Sequence, residues 1–230
     1  MKVLVDIRDA KSEEVFNKLL SYDWPFLVQR SQEGDALVVL IEGELHLIAG
    51  DGQSPIVFSW PRKLNKWNND KTISNNLMRA LGSKRGDTVI DATVGFGQDT
   101  SYLLHHGLNV IGFERVPLLY FLQKGSLLIS EEELNLELIF GQASDADYEG
   151  LPIYFDPMFD NGIKRKAKAK KTMSLLHKMI GADDDAISEA KKLRAISGRL
   201  VIKKSPRDPE LLEDRNSSWE SKAVRFDLYL

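Results

Sequence analysis

Cysteine is absent from the 230 residues. That one absence removes disulfide frameworks, thiolate-ligated zinc, iron–sulfur clusters and thiol nucleophiles together. Histidine is scarce: the four present, His46, His105, His106 and His177, form no HExxH-type ligand spacing. A metalloenzyme is therefore not expected and no metal is assigned, although carboxylates leave a magnesium site open. Long apolar runs are missing as well. Nowhere do eighteen apolar residues follow one another, so no membrane span is expected. The first residues, MKVLVD, meet charge at once and include no apolar core of signal-peptide length. A soluble, cytoplasmic protein is the expectation. Net charge is also small: 31 Lys and Arg face 34 Asp and Glu, giving −3. Global electrostatics will not draw the chain to nucleic acid, so any such binding needs a local basic patch.

What is present is ordinary globular material, 43% hydrophobic and 28% charged, enough for one core or a core plus a small annex. The first 60 residues read as short strands: Val3–Ile7, Phe26–Val28, Ala36–Ile41, Glu44–Ala49 and Pro55–Phe58. Turn signals at Glu33-Gly34-Asp35, Glu42-Gly43 and Asp51-Gly52 punctuate them. Residues 61–76 are polar and turn-rich, which predicts a linker. The chain thus divides into an N-terminal β-rich subdomain with linker over 1–76 and a second domain over 77–230. From Gly86 the rhythm changes to strand and helix in alternation. Strands are expected at Thr88–Ala92, Asn109–Phe113, Leu136–Phe140, Leu151–Phe155, Arg199–Lys203 and Ala223–Leu230. Helices are expected at Gln98–His106, Val116–Ser130, Lys164–Ile180 and Asp184–Ile196. That spacing implies parallel strands joined by right-handed crossovers, an α/β Rossmann-like doubly wound sheet.

Three strand ends carry the chemistry. The first is Asp91-Ala-Thr-Val-Gly95-Phe-Gly97-Gln98-Asp99, a strand–loop–helix junction. Its glycines let backbone approach a ligand, and the helix start offers free N–H groups. Thr100 stands where a dinucleotide fingerprint needs its third glycine, which argues against a nicotinamide-dependent oxidoreductase. Asp91 can order the loop through backbone N–H groups or reach a cationic ligand. The second strand ends in Glu114-Arg115, with Glu114 placed to accept two ribose hydroxyls. After the third strand, Gln142-Ala143 offers a small polar edge for an adenine. The fourth strand ends in Asp156-Pro157-Met158-Phe159, and in an open sheet that loop faces the glycine loop across the switch point.

Asp-Pro-x-Phe resembles the (Asn/Asp)-Pro-Pro-(Tyr/Phe) signature of amino-directed methyltransferases that use S-adenosylmethionine. The physics suits that chemistry. An exocyclic amine conjugated to a base ring is a poor nucleophile because its lone pair is delocalised. A carboxylate (Asp156) and a backbone carbonyl (Pro157) accepting its two N–H bonds would aim that lone pair, while Phe159 stacks on the base. The signature is shared by enzymes acting on guanine or adenine amines and on protein glutamine.

The order DATVGFGQD, FER, DPMF, a Lys-rich stretch, ADDDAISEAKKL, VIKK and RFDLYL is similar to the RsmJ-type small-subunit ribosomal RNA (guanine-N2)-methyltransferases, over about residues 86–230. The resemblance implies a class I methyltransferase domain over 77–230, S-adenosyl-L-methionine as donor and a guanine amine of ribosomal RNA, free or within the small ribosomal subunit, as acceptor. Donor-binding positions that it implies are Gln98, Asp99, Glu114, Arg115, Gln142, Ala143 and Asp156, beside Asp91, Gly95 and Gly97 of the loop. Two departures stand out. Gln98 replaces the Arg usual in the family, and KLNKWNNDKTISNN replaces a His/Arg- and Gly-rich stretch.

A nucleic-acid partner also has local support. Lys164, Arg165, Lys166, Lys168, Lys170 and Lys171 follow directly on DPMF, so basic charge borders the expected reacting centre. Lys203, with Lys204 and Arg207, forms a second group after the fifth strand. Trp60, Trp67 and Trp219 lie in polar surroundings and suit either base stacking or packing. Arg225 and Asp227, two apart on one strand face, are read as an ion pair or a support for the site loop. A non-catalytic RNA-binding module of the same fold is the remaining alternative, and the oligomeric state is left open.

Overall fold

The computed structural model of the chain describes residues 2–31, 37–48, 54–68, 75–157 and 185–230. Alternating burial along the N-terminal third builds one sheet from β1 (Lys2–Ile7), β2 (Leu27–Arg30), β3 (Val38–Ile41), β4 (Glu44–Leu47) and β5 (Ile56–Phe58). Its order is β2-β1-β3-β4-β5, with β1 parallel to both neighbours and β3, β4 and β5 antiparallel in turn. Parallel pairing requires a crossover, and helix α1 (Ala10–Leu20) supplies it, where strands alone were expected. Asp9 caps α1 by accepting the Ser12 N–H at 2.9 Å and also accepts the Glu42 N–H at 2.7 Å, which ties the helix start to the β3–β4 hairpin. That hairpin turns through Glu42 and Gly43, both at positive φ, as a tight two-residue connection demands.

Within the polar linker expected over 61–76, the described residues to Asn68 belong to a helix: Trp60–Asn68 forms α2, with Trp60 and Lys63 buried. Lys63 is one of the polar residues that made this stretch read as a linker, yet it folds inward. Helix α3 (Asn76–Leu81) then ends at Gly82, whose φ of 64° a side chain would disfavour.

The second sheet holds seven strands in the order β11-β12-β10-β9-β6-β7-β8. They are β6 (Thr88–Asp91), β7 (Asn109–Glu114), β8 (Leu136–Phe140), β9 (Pro152–Phe155), β10 (Arg199–Lys204), β11 (Ser217–Glu220) and β12 (Arg225–Tyr229). The strands β6 to β10 are mutually parallel, whereas β12 runs antiparallel between β10 and β11. Helices α4 (Gln98–His105), α5 (Pro117–Ser130) and α6 (Ala186–Ile196) connect them. Strand order reverses between β6 and β9, so the loops after these two strands open on a common crevice. Strand β11 was not foreseen, because its sequence SSWE has no apolar alternation.

Helix α5 joins the two sheets. It is apolar nearly all round, the composition of a helix covered on every side. Leu119, Phe121 and Leu122 share a core with Val3, Val5, Leu45 and Leu47 of the N-terminal sheet. The contact is close at Gly125, where an added Cβ would stand 2.8 Å from Leu45 Cδ1. No helix among the described residues is long and apolar enough to cross a membrane.

Arg225 and Asp227 are both a buried ion pair and a loop brace. Arg225 Nε and Nη2 reach the two Asp227 oxygens at 2.7 and 2.8 Å, and the guanidinium also donates to the carbonyls of Pro206 and Asp208. Arg215 adds a third contact to Asp227 at 2.9 Å. Removing the carboxylate would leave a buried guanidinium uncompensated. Asp227→Ala is therefore expected to lower unfolding free energy by about 3–5 kcal/mol, read as a shifted urea midpoint.

Candidate active site

Along the loop Ala92–Gly97 that leaves β6, Ala92 and Val94 donate their N–H groups to the Tyr154 and Phe113 carbonyls of the neighbouring strands, whereas those of Thr93 and Gly95 turn to two carboxylates. Asp91, fully buried at the end of β6, accepts the Thr93 N–H at 3.0 Å and the Thr100 hydroxyl at 2.6 Å. Glu114, at the end of β7, accepts the Gly95 N–H and the Val116 N–H, each at 2.8 Å. Of the two roles open to Asp91, ordering the loop is the one these contacts fill. Burial raises both acids: Asp91 to about 7 and Glu114 to about 7, against hydrogen bonds that favour the charged forms.

A second group of charges lies across the crevice. Asp156 follows β9, and its N–H donates to Thr93 Oγ1 at 2.7 Å, which fixes the β9 loop to the glycine loop. Lys203 of β10 reaches Asp156 Oδ2 at 2.8 Å and Asp99 Oδ2 at 2.6 Å. Tyr154, buried on β9, donates its hydroxyl to the same Asp99 oxygen at 2.6 Å. Burial opposes the Lys203 charge, but Asp156 and Asp99 outweigh it and hold its pKa above the usual lysine range. Burial, with Asp99 beside it, pushes the Tyr154 phenol far up, so it stays protonated and donates to that carboxylate. Lys203, expected to grip RNA phosphate, has its ammonium held by two carboxylates inside the crevice.

These groups surround a cavity of about 260 Å³. Gly95, Gln98, Asp99, Glu114, Arg115, Gln142, Asp156 and Lys203 line it, and Phe113, Val116, Leu119 and Phe155 form apolar wall. Of the expected donor-binding residues, Asp91 lies directly beneath the loop and Gly97 turns it at φ 71°. Ala143 is buried in the core with Ile90 and Phe113, so it supports the wall and does not face the cavity. Arg115 forms a two-pronged pair with Asp185, at 2.7 and 3.1 Å, which joins the β7 end to the start of α6. Pro157 is buried. Phe159, Lys164, Arg165, Lys166 and Lys168 lie outside the described residues. Trp60 is fully buried, so packing is its role; Trp67 and Trp219 pack in part against the core near Tyr102. Thr93, Thr100 and Tyr154, to which the sequence assigned no bonding role, complete the hydrogen bonding, and Asp185 and Glu189 of the α6 end add acidic lining. No cluster of three or more metal-ligating side chains occurs among the described residues.

A seven-stranded sheet with one reversed strand next to the edge, and a carboxylate-ordered glycine loop at its switch point, defines the class I methyltransferase fold. A solved SAM-dependent methyltransferase from Neisseria gonorrhoeae superposes on it with a TM-score of 0.73 at 20% identity, covering 99% of this chain and 96% of that one. The family model described as "Putative SAM-dependent methyltransferase" matches residues 24–230, and the chain belongs to this family. Among relatives named ribosomal RNA small subunit methyltransferase J, the one from Bdellovibrio bacteriovorus is 35% identical over 166 residues, spanning 67% of this chain and 65% of its own length. That from Idiomarina loihiensis is 27% identical across 97% of this chain and 93% of its own. That from Legionella pneumophila (strain Corby) is 33% identical across 67% of each.

The raised carboxyls set a pH dependence. With folded values near 7, well above their ordinary 3.8 and 4.5, Asp91 and Glu114 bind more protons in the folded chain than in the unfolded one. Their contribution therefore destabilises the donor-free fold progressively as pH rises from roughly 4 to 7. Pairing a cationic donor, or accepting ribose hydroxyls, favours the ionised forms, so binding releases protons. Affinity for S-adenosylmethionine is expected to rise between about pH 6 and 8. Titration calorimetry in buffers of different ionisation enthalpy reads the release, and proton uptake would contradict the assignment.

Proposed function

We propose that this SAM-dependent methyltransferase acts on the exocyclic N2 amine of a guanine in small-subunit ribosomal RNA. The observation that carries the reading is Asp156, which extends from β9 against Thr93 of the glycine loop, so that its carboxylate shares one crevice with Glu114. The names of the three relatives support ribosomal RNA as acceptor.

The residues fit the donor. Glu114 carries acceptor oxygens for ribose hydroxyls, and Phe113, Val116 and Phe155 suit a flat adenine with Gln142 at its edge. The excess of carboxylates in the wall favours a ligand bearing positive charge. When bound, S-adenosylmethionine supplies a methyl group on a positively charged sulfur. In this reading residues 77–230 perform the transfer and residues 1–76 support it.

Asp156 and the Pro157 carbonyl accept the two N–H bonds of the amine and turn its lone pair toward the donor. Lys203 holds one Asp156 oxygen and so fixes the plane of the carboxylate. Phe159, two residues beyond Pro157, stacks on the base. Lys164, Arg165, Lys166 and Lys168 contact phosphates, a local run of basic charge that lets a chain of charge −3 engage RNA. The base must be unpaired or turned out of its stack to enter. The methylated amine is acidic and releases its extra proton to solvent, so neither thiol nor metal is called on. Such a substrate belongs to the cytoplasm.

Labelled methyl transfer to unmodified small-subunit particles, and to naked RNA, tests the proposal. Asp156→Ala is expected to lose roughly 100-fold or more in turnover while still binding donor. Full activity of that variant would reject the mechanism. Label found on adenine or on protein glutamine would reject the guanine assignment but retain the amine chemistry.

A further inference from the structure

The glycine loop is held from behind by a segment that lies outside the expected methyltransferase domain. Gln123, fully buried on α5, donates its Nε2 to the Gly95 carbonyl at 2.7 Å. Its Oε1 accepts from Lys63 Nζ at 2.6 Å, and its backbone carbonyl accepts the Trp60 indole N–H at 3.0 Å. The grip continues along the loop. Phe58 packs on Phe96 with ring centroids 5.6 Å apart, and a Cβ on Gly97 would come within 3.0 Å of Trp60 and 3.1 Å of Gln123. Lys66 donates to Gln98 Oε1 at 3.0 Å, and the Trp67 indole donates to Ser101 Oγ at 2.9 Å. From Gly95 to Gln98 every residue is thus in contact, directly or through Gln123, with Phe58–Lys66.

Packing alone does not require these residue types. A fully buried position on α5 is best filled by an apolar side chain, and a buried lysine and amide carry a desolvation cost. Burial pulls the Lys63 ammonium down to about 7 even though it sits over the Phe58 and Trp60 rings. Their hydrogen bonds end on the carbonyl of Gly95, the same residue whose N–H meets Glu114. We propose that Gln123 and Lys63 are positioning residues for the donor. On this assignment the Phe58–Trp67 segment is the rear half of the donor site: Glu114 fixes the Gly95 peptide from the cavity side and Gln123 from behind.

The test needs only donor binding, so it stands apart from the assignment of an RNA acceptor. S-adenosylhomocysteine is the probe, and calorimetry gives its Kd. Gln123→Glu keeps the acceptor for Lys63 but replaces the donor to Gly95 with a second oxygen, and should raise Kd roughly tenfold with a near-native melting temperature. Lys63→Met, which leaves the Gly95 bond in place, should raise it only about threefold. Native Kd in a folded Gln123→Glu variant overturns the proposal. Amide hydrogen exchange on the unaltered protein provides a measurement independent of variant folding. S-adenosylhomocysteine should protect residues 58–67 together with 95–101; protection confined to 95–101 overturns the proposal as well.

Discussion

The site depends on one constraint: a chain that leaves a buried strand through a glycine-rich loop exposes N–H groups that regular structure cannot pair. Asp91 and Glu114 meet that need by accepting the N–H groups of Thr93, Gly95 and Val116, and Asp91 also accepts the Thr100 hydroxyl. Each carboxylate is buried and carries the electrostatic cost that its raised pKa records. The loop is therefore a polar structure embedded in an apolar sheet, stable only while both acids and the residues behind them keep their places. Gly97 shows how little freedom remains, since its missing side chain is the room that Trp60 and Gln123 occupy.

Sheet topology then decides which charges meet. Reversal of strand order between β6 and β9 brings Asp156 to the glycine loop, and the parallel neighbour β10 places Lys203 beside it. Lys203 is shared by Asp99 and Asp156, and Tyr154 satisfies Asp99 from below. Carboxylates that would otherwise repel each other are held in one orientation by a single ammonium. The remaining acidic excess suits a donor with a sulfonium and an ammonium group, and weakens once the methyl has gone and the sulfur is neutral.

Local signals in the sequence were enough for the parallel strands of the second sheet. Apolar runs β6 to β10 lie within a few residues of their expected bounds, and the ends of β6, β7 and β9 carry the glycine loop, Glu114 and Asp156 as their order implied. What escaped was decided by tertiary contact. Helix α1 was hidden because short apolar runs on either side suggested a continuous set of strands. Helix α2 was hidden because its polar letters include a lysine that folds inward. Strand β11 gains its place from pairing with β12, not from its own composition. Lys203 looked like one of a basic group with Lys204 and Arg207, but its partners Asp156 and Asp99 lie 47 and 104 residues away in sequence. Gln123 sits in an apolar helix with no motif around it. A buried polar residue in such a helix is a usable signal, since it must find a partner.

At the centre of this chain's chemistry, the donor site exists because Glu114 folds the loop it also serves. Glu114→Gln tests that dependence, for its single carbonyl oxygen cannot accept from both Gly95 and Val116 as the two carboxylate oxygens do. Calorimetric titration of that variant with S-adenosylmethionine is the most direct measurement. The expected result is a folded protein whose affinity falls by roughly tenfold or more. Native affinity in the folded Glu114→Gln variant would contradict that dependence.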